Sequence, residues 1–356
     1  MSNKDIVIRF AGEGGEGVVT AAEFLARAAA TVGYYVQTFV TFPSQIKGGP
    51  TYSQVRISTK PVLSAGDDLD ILVALNREAY EEHHSEVKEG VVVYDAAFSL
   101  PSGSNMFSLP LDEMAKKAGD ARSKNMVLLG AVASLMNMPE EYLRAFISER
   151  FKGRDAVIQA NIDGLRLGRE HAASCGLRIG ELGVPTKPKG EQLFIKGNDA
   201  LALGALAAGI DFYAGYPISP ATSILVFMEQ NLVGPGKFAY QVSSEIEAIS
   251  TLLGAGFAGK KAMTATSGPG FSLMSEGIGL GWMAEIPVVI VDVQRGGPAT
   301  GLPTKTEQSD LLCAINPAHG DVRLPVIAPG TVEECFSAII NAFKWAERYQ
   351  GRVVLL

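Results

Sequence analysis

The sequence has 356 residues, of which 47% are hydrophobic and 19% charged, and its net charge is −7 at pH 7. At about 150 residues per domain, this length predicts two globular domains, and the composition excludes a disordered chain. The acidic balance excludes a general nucleic-acid binder, which requires a basic surface. No apolar run reaches the roughly 18 residues of a membrane span, so we expect no membrane segment.

The cysteines and histidines indicate no metal site within this chain. Cys175, Cys313 and Cys335 lie far apart and form no CxxC pair, so we expect neither a structural zinc nor an iron–sulfur cluster. The histidines show no ligand spacing, and His83 and His84 lie in a charged stretch that predicts a solvated helix. Few cysteines without a disulfide pattern favour a cytoplasmic protein.

The first half alternates strand-like and helix-like segments, which predicts an α/β domain. Strands are predicted over 5–10, 34–43, 71–75 and 90–95, and helices over 18–33 and 125–138. A stretch with two prolines, two glycines and three lysines follows at 183–196. We interpret it as a linker between domains at 1–182 and 197–356.

The second half shows the same alternation. Helices are predicted over 195–210, 243–259 and 271–285, with strands over 211–217, 261–267, 287–294 and 352–356 and a loop at 267–271. Continuously apolar strands are typical of buried parallel sheets. The sequence therefore predicts two doubly wound α/β domains.

A glycine-rich turn follows the first strand. Gly12, Gly14 and Gly17 match G-x-G-x-x-G, a pattern that lets backbone N–H groups approach a phosphate. A dinucleotide site also needs an acidic residue about 20 residues on, but the chain has none between Glu23 and Asp67. The turn's own glutamates oppose a pyrophosphate, so another phosphate-bearing cofactor ranks above NAD. A second glycine loop, 44–50, is expected at the same carboxyl edge.

Three loops of the second half carry polar residues at strand ends. Two prolines hold Ser219 in the first loop, and Glu245 opens a predicted helix, where it could serve as a cap. The third loop, 266–270, is built of small residues that let a flat ligand come close. Arg295, after a later strand, is suited to bidentate contact with a carboxylate.

Several segments closely resemble the 2-oxoacid:ferredoxin oxidoreductases. YPISP, SSEIEAIS and the run from TATSGPGF to TEQSDLL resemble the α subunit, whereas FAGEGGEGVVTAA and IKGGPTYSQVRIS resemble the γ domain. A γ domain placed before the α segment is most similar to the 2-oxoglutarate:ferredoxin oxidoreductase branch. Family α subunits continue beyond the segment RVVLL, so the resemblance implies that a C-terminal domain is absent from this chain.

The resemblance implies oxidative decarboxylation of 2-oxoglutarate with CoA to succinyl-CoA and CO₂, with reduction of ferredoxin. Thiamine diphosphate would bind between the second domain, which takes its pyrimidine end, and a separate β subunit that supplies Mg²⁺ and an iron–sulfur cluster. A dimer of αβ units is expected. Glu245 matches the family's glutamate at the pyrimidine nitrogen, where it promotes proton removal from the thiazolium carbon.

The remaining roles follow from the same resemblance. Ser219 stands where the family usually has Thr, and with Arg295 it would face the substrate carboxylate. Contacts to thiamine diphosphate are expected from Tyr216, Pro217, Ile218, Ser267 and Gly268. Candidate contacts to CoA are Gly12, Gly14, Gly15, Gly17, Lys47, Gly48 and Gly49.

Other functions stay open on the sequence alone. The same family acts on pyruvate and on branched-chain or aromatic 2-oxo acids. A non-redox thiamine enzyme is disfavoured because no GDG-plus-Asn diphosphate motif is present. An NAD-dependent dehydrogenase using Gly12–Gly17, or a scaffold without catalytic function, would also accommodate parts of the pattern.

Overall fold

The computed structural model describes residues 5–41, 48–101, 103–186, 190 and 192–356. The chain divides into two compact units, Met1–Phe194 and Ile195–Leu356. This division falls inside the segment 183–196 that the sequence predicts as a linker. Among the helices of these described stretches, none combines the length and the apolar character needed to cross a membrane.

The first unit is built around a six-stranded sheet. Its elements in chain order are β1 (Ile6–Glu13), α1 (Val18–Thr31), β2 (Tyr35–Thr41), β3 (Pro50–Ser58), β4 (Ile71–Ala74), α2 (Arg77–His83), β5 (Val91–Asp95), β6 (Met106–Leu109), α3 (Leu111–Lys117), α4 (Lys124–Leu135), α5 (Glu140–Arg150) and α6 (Asp155–Ser174).

The strand order of this sheet is β2-β3-β1-β4-β5-β6. Strands β1, β4, β5 and β6 run parallel, whereas β3 is antiparallel to both β1 and β2. The larger core lies between one sheet face and helices that include α1 and α4, and a smaller core lies under α2 on the other face. Strands β3 and β6 and the helices α3, α5 and α6 were not predicted, whereas the strands and helices that were predicted are present.

The second unit contains a six-stranded, wholly parallel sheet. Its elements are α7 (Gly197–Ala207), β7 (Phe212–Gly215), α8 (Thr222–Asn231), β8 (Phe238–Gln241), α9 (Glu245–Phe257), β9 (Ala262–Thr266), α10 (Gly268–Leu273), α11 (Ser275–Met283), β10 (Val288–Asp292), α12 (Leu311–Ile315), β11 (Val326–Ile327), α13 (Val332–Tyr349) and β12 (Arg352–Leu355).

The strand order of the second sheet is β11-β12-β10-β9-β7-β8. From β7 the chain first moves outward to β8 and then returns to the other side of β7 to form β9, so the order reverses between β7 and β9. In parallel sheets a ligand crevice forms at such a reversal, outside the carboxyl ends of the strands. Helices cover both faces, one core containing α7 and α13 and the other α9 and α11.

One predicted loop is wrong. The segment predicted as a loop at 267–271 contains the first turn of α10, which begins at Gly268 with Pro269 beside it. Proline is well accommodated in the first turn of a helix because its missing N–H has no intrahelical partner there.

Candidate functional site

The candidate site lies at the carboxyl edge of the second sheet, where the strand order reverses. The loop 216–220 leaves β7, and Ser267 and Gly268 leave the neighbouring strand β9. Arg295 follows β10, which is the next strand along the sheet. The topology thus collects at one edge the loops that the sequence singled out.

Glu245 is a buried carboxylate that is not used to cap its own helix. It opens α9 with only 6% of its surface exposed. The cap is made by its neighbours: the Ser244 hydroxyl accepts the N–H of Glu247 at 3.1 Å, and the Glu247 carboxylate accepts the N–H of Ser243 at 2.8 Å. The helix end is therefore satisfied without Glu245, which leaves its carboxylate available for a ligand.

The first turn of α10 packs directly against Glu245. A Cβ placed on Gly270 would lie 2.5 Å from Glu245 Oε1 and would also overlap the Thr266 hydroxyl oxygen. Beside this turn, the fully buried Ser267 Oγ has no hydrogen-bond partner among the described residues. A buried carboxylate and an unsatisfied hydroxyl are groups to which the nitrogen atoms of an aminopyrimidine can hydrogen-bond.

Arg295 ties two loops together. Its Nη1 donates to the Ser219 carbonyl at 2.9 Å and its Nη2 donates to the Thr300 carbonyl at 2.6 Å. The residue is 6% exposed, and its buried Nε has no partner among the residues that the structure describes. The Ser219 side chain is exposed at the same edge. The edge therefore places an exposed serine hydroxyl beside a guanidinium whose buried Nε makes no hydrogen bond to the described residues.

The loop that carries Ser219 is itself anchored. The Ile218 carbonyl accepts the N–H of Thr222 at 3.0 Å, and the Pro220 carbonyl accepts an amide N–H of Asn198 at 3.0 Å. Ile218 packs onto the core beneath, whereas Tyr216 is exposed. The loop therefore presents its polar residues from a fixed backbone.

Two residues of this region were missed by the sequence reasoning. Asp292 ends β10 with 1% exposure, and both of its carboxylate oxygens lack a hydrogen-bond partner within the described part of the chain. Asp310 stands before α12 with a buried, similarly unpartnered Oδ2. Burial, together with the charge of Asp310, raises the pKa of Asp292 to about 7. The sequence signal that could have identified Asp292 is an acidic residue at the end of an otherwise apolar strand.

The two glycine loops of the first unit meet, as predicted. The N–H of Gly14, after β1, donates to the Gly49 carbonyl at 3.2 Å, and Gly48 precedes that residue. Gly17 has φ of +88° at the start of α1, and a Cβ there would collide with the Asn125 side chain. Lys47 lies outside the described residues, so its predicted contact stays a prediction.

The turn already binds a carboxylate of its own. Glu16 Oε2 accepts the N–H of Glu13 at 2.6 Å and the side-chain amide of Asn76 at 3.1 Å. A neighbouring cavity of about 200 Å³ is lined in part by Glu78 and Glu82. This edge is therefore acidic, and one of its backbone donors is already bound to a carboxylate oxygen.

The predicted solvated helix around His83 is wrong for that residue. His83 is 5% exposed and lies over the sheet face that carries Arg9, with its Nδ1 3.1 Å from Arg9 Nη1. Arg9 also pairs with Glu86 and donates to Gln54 at 2.7 Å. Burial, followed by the Arg9 charge, lowers the pKa of His83. His83 is therefore buried because it packs against other polar side chains, with which it forms hydrogen bonds.

Comparison with known proteins agrees with this architecture. Residues 7–171 match the family model described as pyruvate ferredoxin/flavodoxin oxidoreductase. Residues 203–356 match the model of the thiamine diphosphate-binding part of pyruvate flavodoxin/ferredoxin oxidoreductase. Together the two models account for most of the chain.

A solved structure of the 2-oxoglutarate:ferredoxin oxidoreductase from Magnetococcus marinus, with 2-oxoglutarate, coenzyme A and succinyl-CoA bound, is similar over the whole chain. It shares 40% identity at a TM-score of 0.91, and the match covers 100% of this chain and 64% of that one. The 2-oxoglutarate oxidoreductase subunit KorA of Mycobacterium tuberculosis is 34% identical over 398 residues, 99% of this chain and 60% of its own.

A shorter relative matches part of the chain. The 2-oxoglutarate synthase subunit KorA of Methanothermobacter marburgensis is 50% identical over 166 residues, 47% of this chain and 44% of its own. The present chain spans less than two thirds of the length of these relatives. With a γ-type domain followed by a thiamine diphosphate-binding domain, the chain belongs to the 2-oxoacid:ferredoxin oxidoreductase family.

Proposed function

We propose that the chain is the γ–α subunit of an enzyme that oxidatively decarboxylates 2-oxoglutarate with CoA. The products would be succinyl-CoA and CO₂, and the two electrons released would reduce ferredoxin. The similarity over the full chain to a structure that holds 2-oxoglutarate, CoA and succinyl-CoA supports this proposal most directly. The geometry of the edge supports it as well, because the buried Glu245 carboxylate and the Ser219–Arg295 pair lie at the same edge of the sheet.

The residues present fit an aminopyrimidine. When bound, thiamine diphosphate supplies the nucleophilic carbon that adds to the oxo carbon and accepts the electrons released with CO₂. Glu245 would share its proton with the pyrimidine nitrogen, because its carboxyl group is buried beside the ligand crevice and is not needed by the helix. Ser267 Oγ would donate to the same ring system. Tyr216, Pro217 and Gly268 would line its faces.

Ser219 and Arg295 would hold the substrate carboxylate. The Arg295 guanidinium spends one N–H of each terminal nitrogen on loop carbonyls and retains its Nε for a further acceptor. A charge-assisted hydrogen bond to a carboxylate is stronger than one between neutral groups. The same arginine would therefore fix both the loop and the acid.

The proposed partners are inferred from the family to which the chain belongs, and not from contacts of its own residues. We propose that a β subunit supplies the diphosphate and Mg²⁺ site and the iron–sulfur cluster, and that αβ units pair into a dimer. CoA would approach the glycine loops of the first unit through Gly15, Gly48 and Gly49. Because Glu16 already holds the N–H of Glu13, that turn offers fewer donors to a phosphate than its glycine pattern predicts.

The test is anaerobic reduction in the complex of this chain with its β partner. We expect 2-oxoglutarate and CoA, added together, to bleach the iron–sulfur absorbance. Glu245→Gln should slow this by about 10²–10⁴-fold, the usual range for general acid–base groups. Glu247→Gln is the matched control, because Glu247 lies in the same helical turn but its carboxylate caps the helix by accepting the N–H of Ser243.

Two results would overturn parts of the proposal. A rate for Glu245→Gln within about twofold of the wild type excludes the catalytic role of that carboxylate. If pyruvate or a branched 2-oxo acid bleaches the cluster and 2-oxoglutarate does not, the family's reaction is retained but the proposed substrate is wrong.

A further inference from the structure

The loop at 216–220 is held by its backbone carbonyls. Its two prolines lack an N–H, so neither of them can anchor the loop through a backbone donor of its own. Two successive carbonyls accept side-chain donors instead: that of Ser219 from Arg295 Nη1 at 2.9 Å, and that of Pro220 from the Asn198 amide at 3.0 Å. The proposed function gives Arg295 a role at the site, whereas Asn198 has none.

Asn198 joins three segments through one nitrogen atom. It lies in the first turn of α7, and its Nδ2 donates both to the Pro220 carbonyl and, at 2.9 Å, to the Ser223 hydroxyl in the first turn of α8. A side-chain amide carries two N–H groups on this atom, so both are engaged. Aspartate has the same shape without a donor, and serine offers a single donor on a shorter side chain. The pair of contacts therefore depends on an amide at this position.

The other contacts of the loop fix a different part of it. The N–H of Thr222 donates to the Ile218 carbonyl at 3.0 Å, and the Ile218 side chain packs onto the core beneath. These contacts tie the loop to the start of α8 but do not involve the two carbonyls that follow Ile218. The position of the exposed Ser219 side chain therefore depends on Arg295 and Asn198.

We propose that Asn198 is a positioning residue, which holds the Ser219 hydroxyl where it can meet the substrate carboxylate beside Arg295. Asn198 acts through the Pro220 carbonyl and needs no contact with the substrate. Without its two N–H groups, Ser219 loses its place, while Arg295 still reaches the acid. The inference rests on the proposed role of Ser219 and adds the support that this role requires.

Kinetics in the complex with the β partner test this role. Asn198→Asp removes both donors and sets a carboxylate against the Pro220 carbonyl, so the KM for the 2-oxo acid should rise at least about fivefold. The kcat should stay within about threefold, because a contact made alike in the ground state and the transition state affects KM. Asn231→Asp is the matched control: it makes the same change at the end of α8, where the amide donates to the Phe227 carbonyl at 2.8 Å, and it should leave both constants unchanged.

A double-mutant cycle separates positioning from general destabilisation. Ser219→Ala should raise the KM by itself, and adding Asn198→Asp to it should raise the KM by less than about twofold more, because the two changes remove the same contact. Independent, multiplying effects would overturn positioning through Ser219, as would an unchanged KM in either single variant. Asn198→Ala, which adds no charge, takes the place of Asn198→Asp if the latter does not fold.

Hydrogen exchange on the chain itself tests the hold on the loop without any turnover. The N–H of Thr222 should exchange at least about tenfold faster in Asn198→Asp than in the wild type, and at the wild-type rate in Asn231→Asp. Equal protection in Asn198→Asp and the wild type overturns the inference. A wild-type complex inactive with every 2-oxo acid overturns the proposed function instead, while the exchange rates still decide whether Asn198 holds the loop.

Discussion

Replacing Asp292 by asparagine should stabilise the chain at neutral and alkaline pH. The carboxyl is 1% exposed, and burial together with Asp310 raises its pKa from 3.8 to about 7. Between these values the folded protein holds a proton that the unfolded chain has released. The free energy of unfolding of the wild type therefore falls as pH rises from about 4 to about 7. Asparagine carries no charge in the folded or the unfolded state, so the free energy of unfolding of the variant does not fall for this reason as the pH rises.

The magnitude follows from the size of the shift. A difference of about three pKa units, at about 1.4 kcal/mol each, gives a ceiling of about 4 kcal/mol. We expect Asp292→Asn to gain at least about 2 kcal/mol over the wild type between about pH 4 and about pH 8, because structural relaxation lessens the ceiling. Its stability at about pH 4 should lie close to that of the wild type.

Urea unfolding at both pH values, followed by circular dichroism, measures this difference. Asp211→Asn is the control with the opposite sign. Although burial opposes it, the hydrogen bond from Lys237 lowers the pKa of Asp211, so that variant should lose more stability at high pH than at low pH. A change of less than about 0.5 kcal/mol in the advantage of Asp292→Asn across this range would refute the buried, proton-holding carboxyl.

Three further substitutions test the site and the glycine turn. Gly270→Ala should lower 2-oxoglutarate-dependent ferredoxin reduction by at least about 10²-fold, because its methyl displaces the Glu245 carboxylate; Gly279→Ala, which has room for a methyl, should keep the rate. Arg295→Lys should raise the KM for the 2-oxo acid about tenfold or more, since lysine lacks the fork that spans both loop carbonyls; an unchanged KM would contradict substrate contact. Glu16→Gln should lower the KM for CoA about threefold by removing a charge that repels phosphate; a raised KM would place CoA elsewhere.

Local sequence patterns predicted the elements whose side chains are uniformly apolar. The strands β4 and β10 and the helix α4 read directly as buried segments, and the structure places them in the cores. Strand β3 was missed because polar residues such as Gln54 are buried along it. Gln54 is buried because it accepts from Arg9, a partner far away in the sequence. The hydrophobic periodicity that predicts strands gives no sign of a hydrogen bond between residues so far apart in the sequence.

The same reason explains the misread stretch around His83. Its charges predict a solvated helix, and its neighbours Glu81 and Glu82 are indeed exposed. His83 itself is held by Arg9 and Glu86 over the sheet. A charged segment can therefore present one face to water and one polar residue to a buried partner, and only the fold determines which residue that is.

The site was partly predictable because strand ends in a parallel sheet converge. Ser219, Ser267 and Arg295 were selected as polar residues that follow apolar strands, and the sheet brings their loops to one edge. What the sequence did not contain was the strand order. The reversal between β7 and β9 is a long-range property of the sheet, and it determines which of the loops share a crevice.

The two sheets present different groups at their carboxyl edges. At the first edge, Glu13, Glu16 and Glu78 surround the glycine turn, and one of them already binds a backbone donor. At the second edge, Arg295 retains an unused N–H beside an exposed serine hydroxyl. A 2-oxo acid is an anion, so the Arg295 guanidinium would favour its binding at the second edge by direct contact, against the acidic Glu245, Asp292 and Asp310 of the same region.

The small residues of the turn at Gly268 and Gly270 have a cause within the chain itself. The sequence suggested that they make room for a flat ligand, but the structure shows that carboxylates of this chain approach them from two sides. Asp310 bounds the turn on one side and Glu245 bounds it on the other. A side chain at either glycine would force one carboxylate away, and the distance from Glu245 to any ligand would change with it. The glycines therefore act as spacers that set the position of Glu245, whether or not a ligand also uses the space above them.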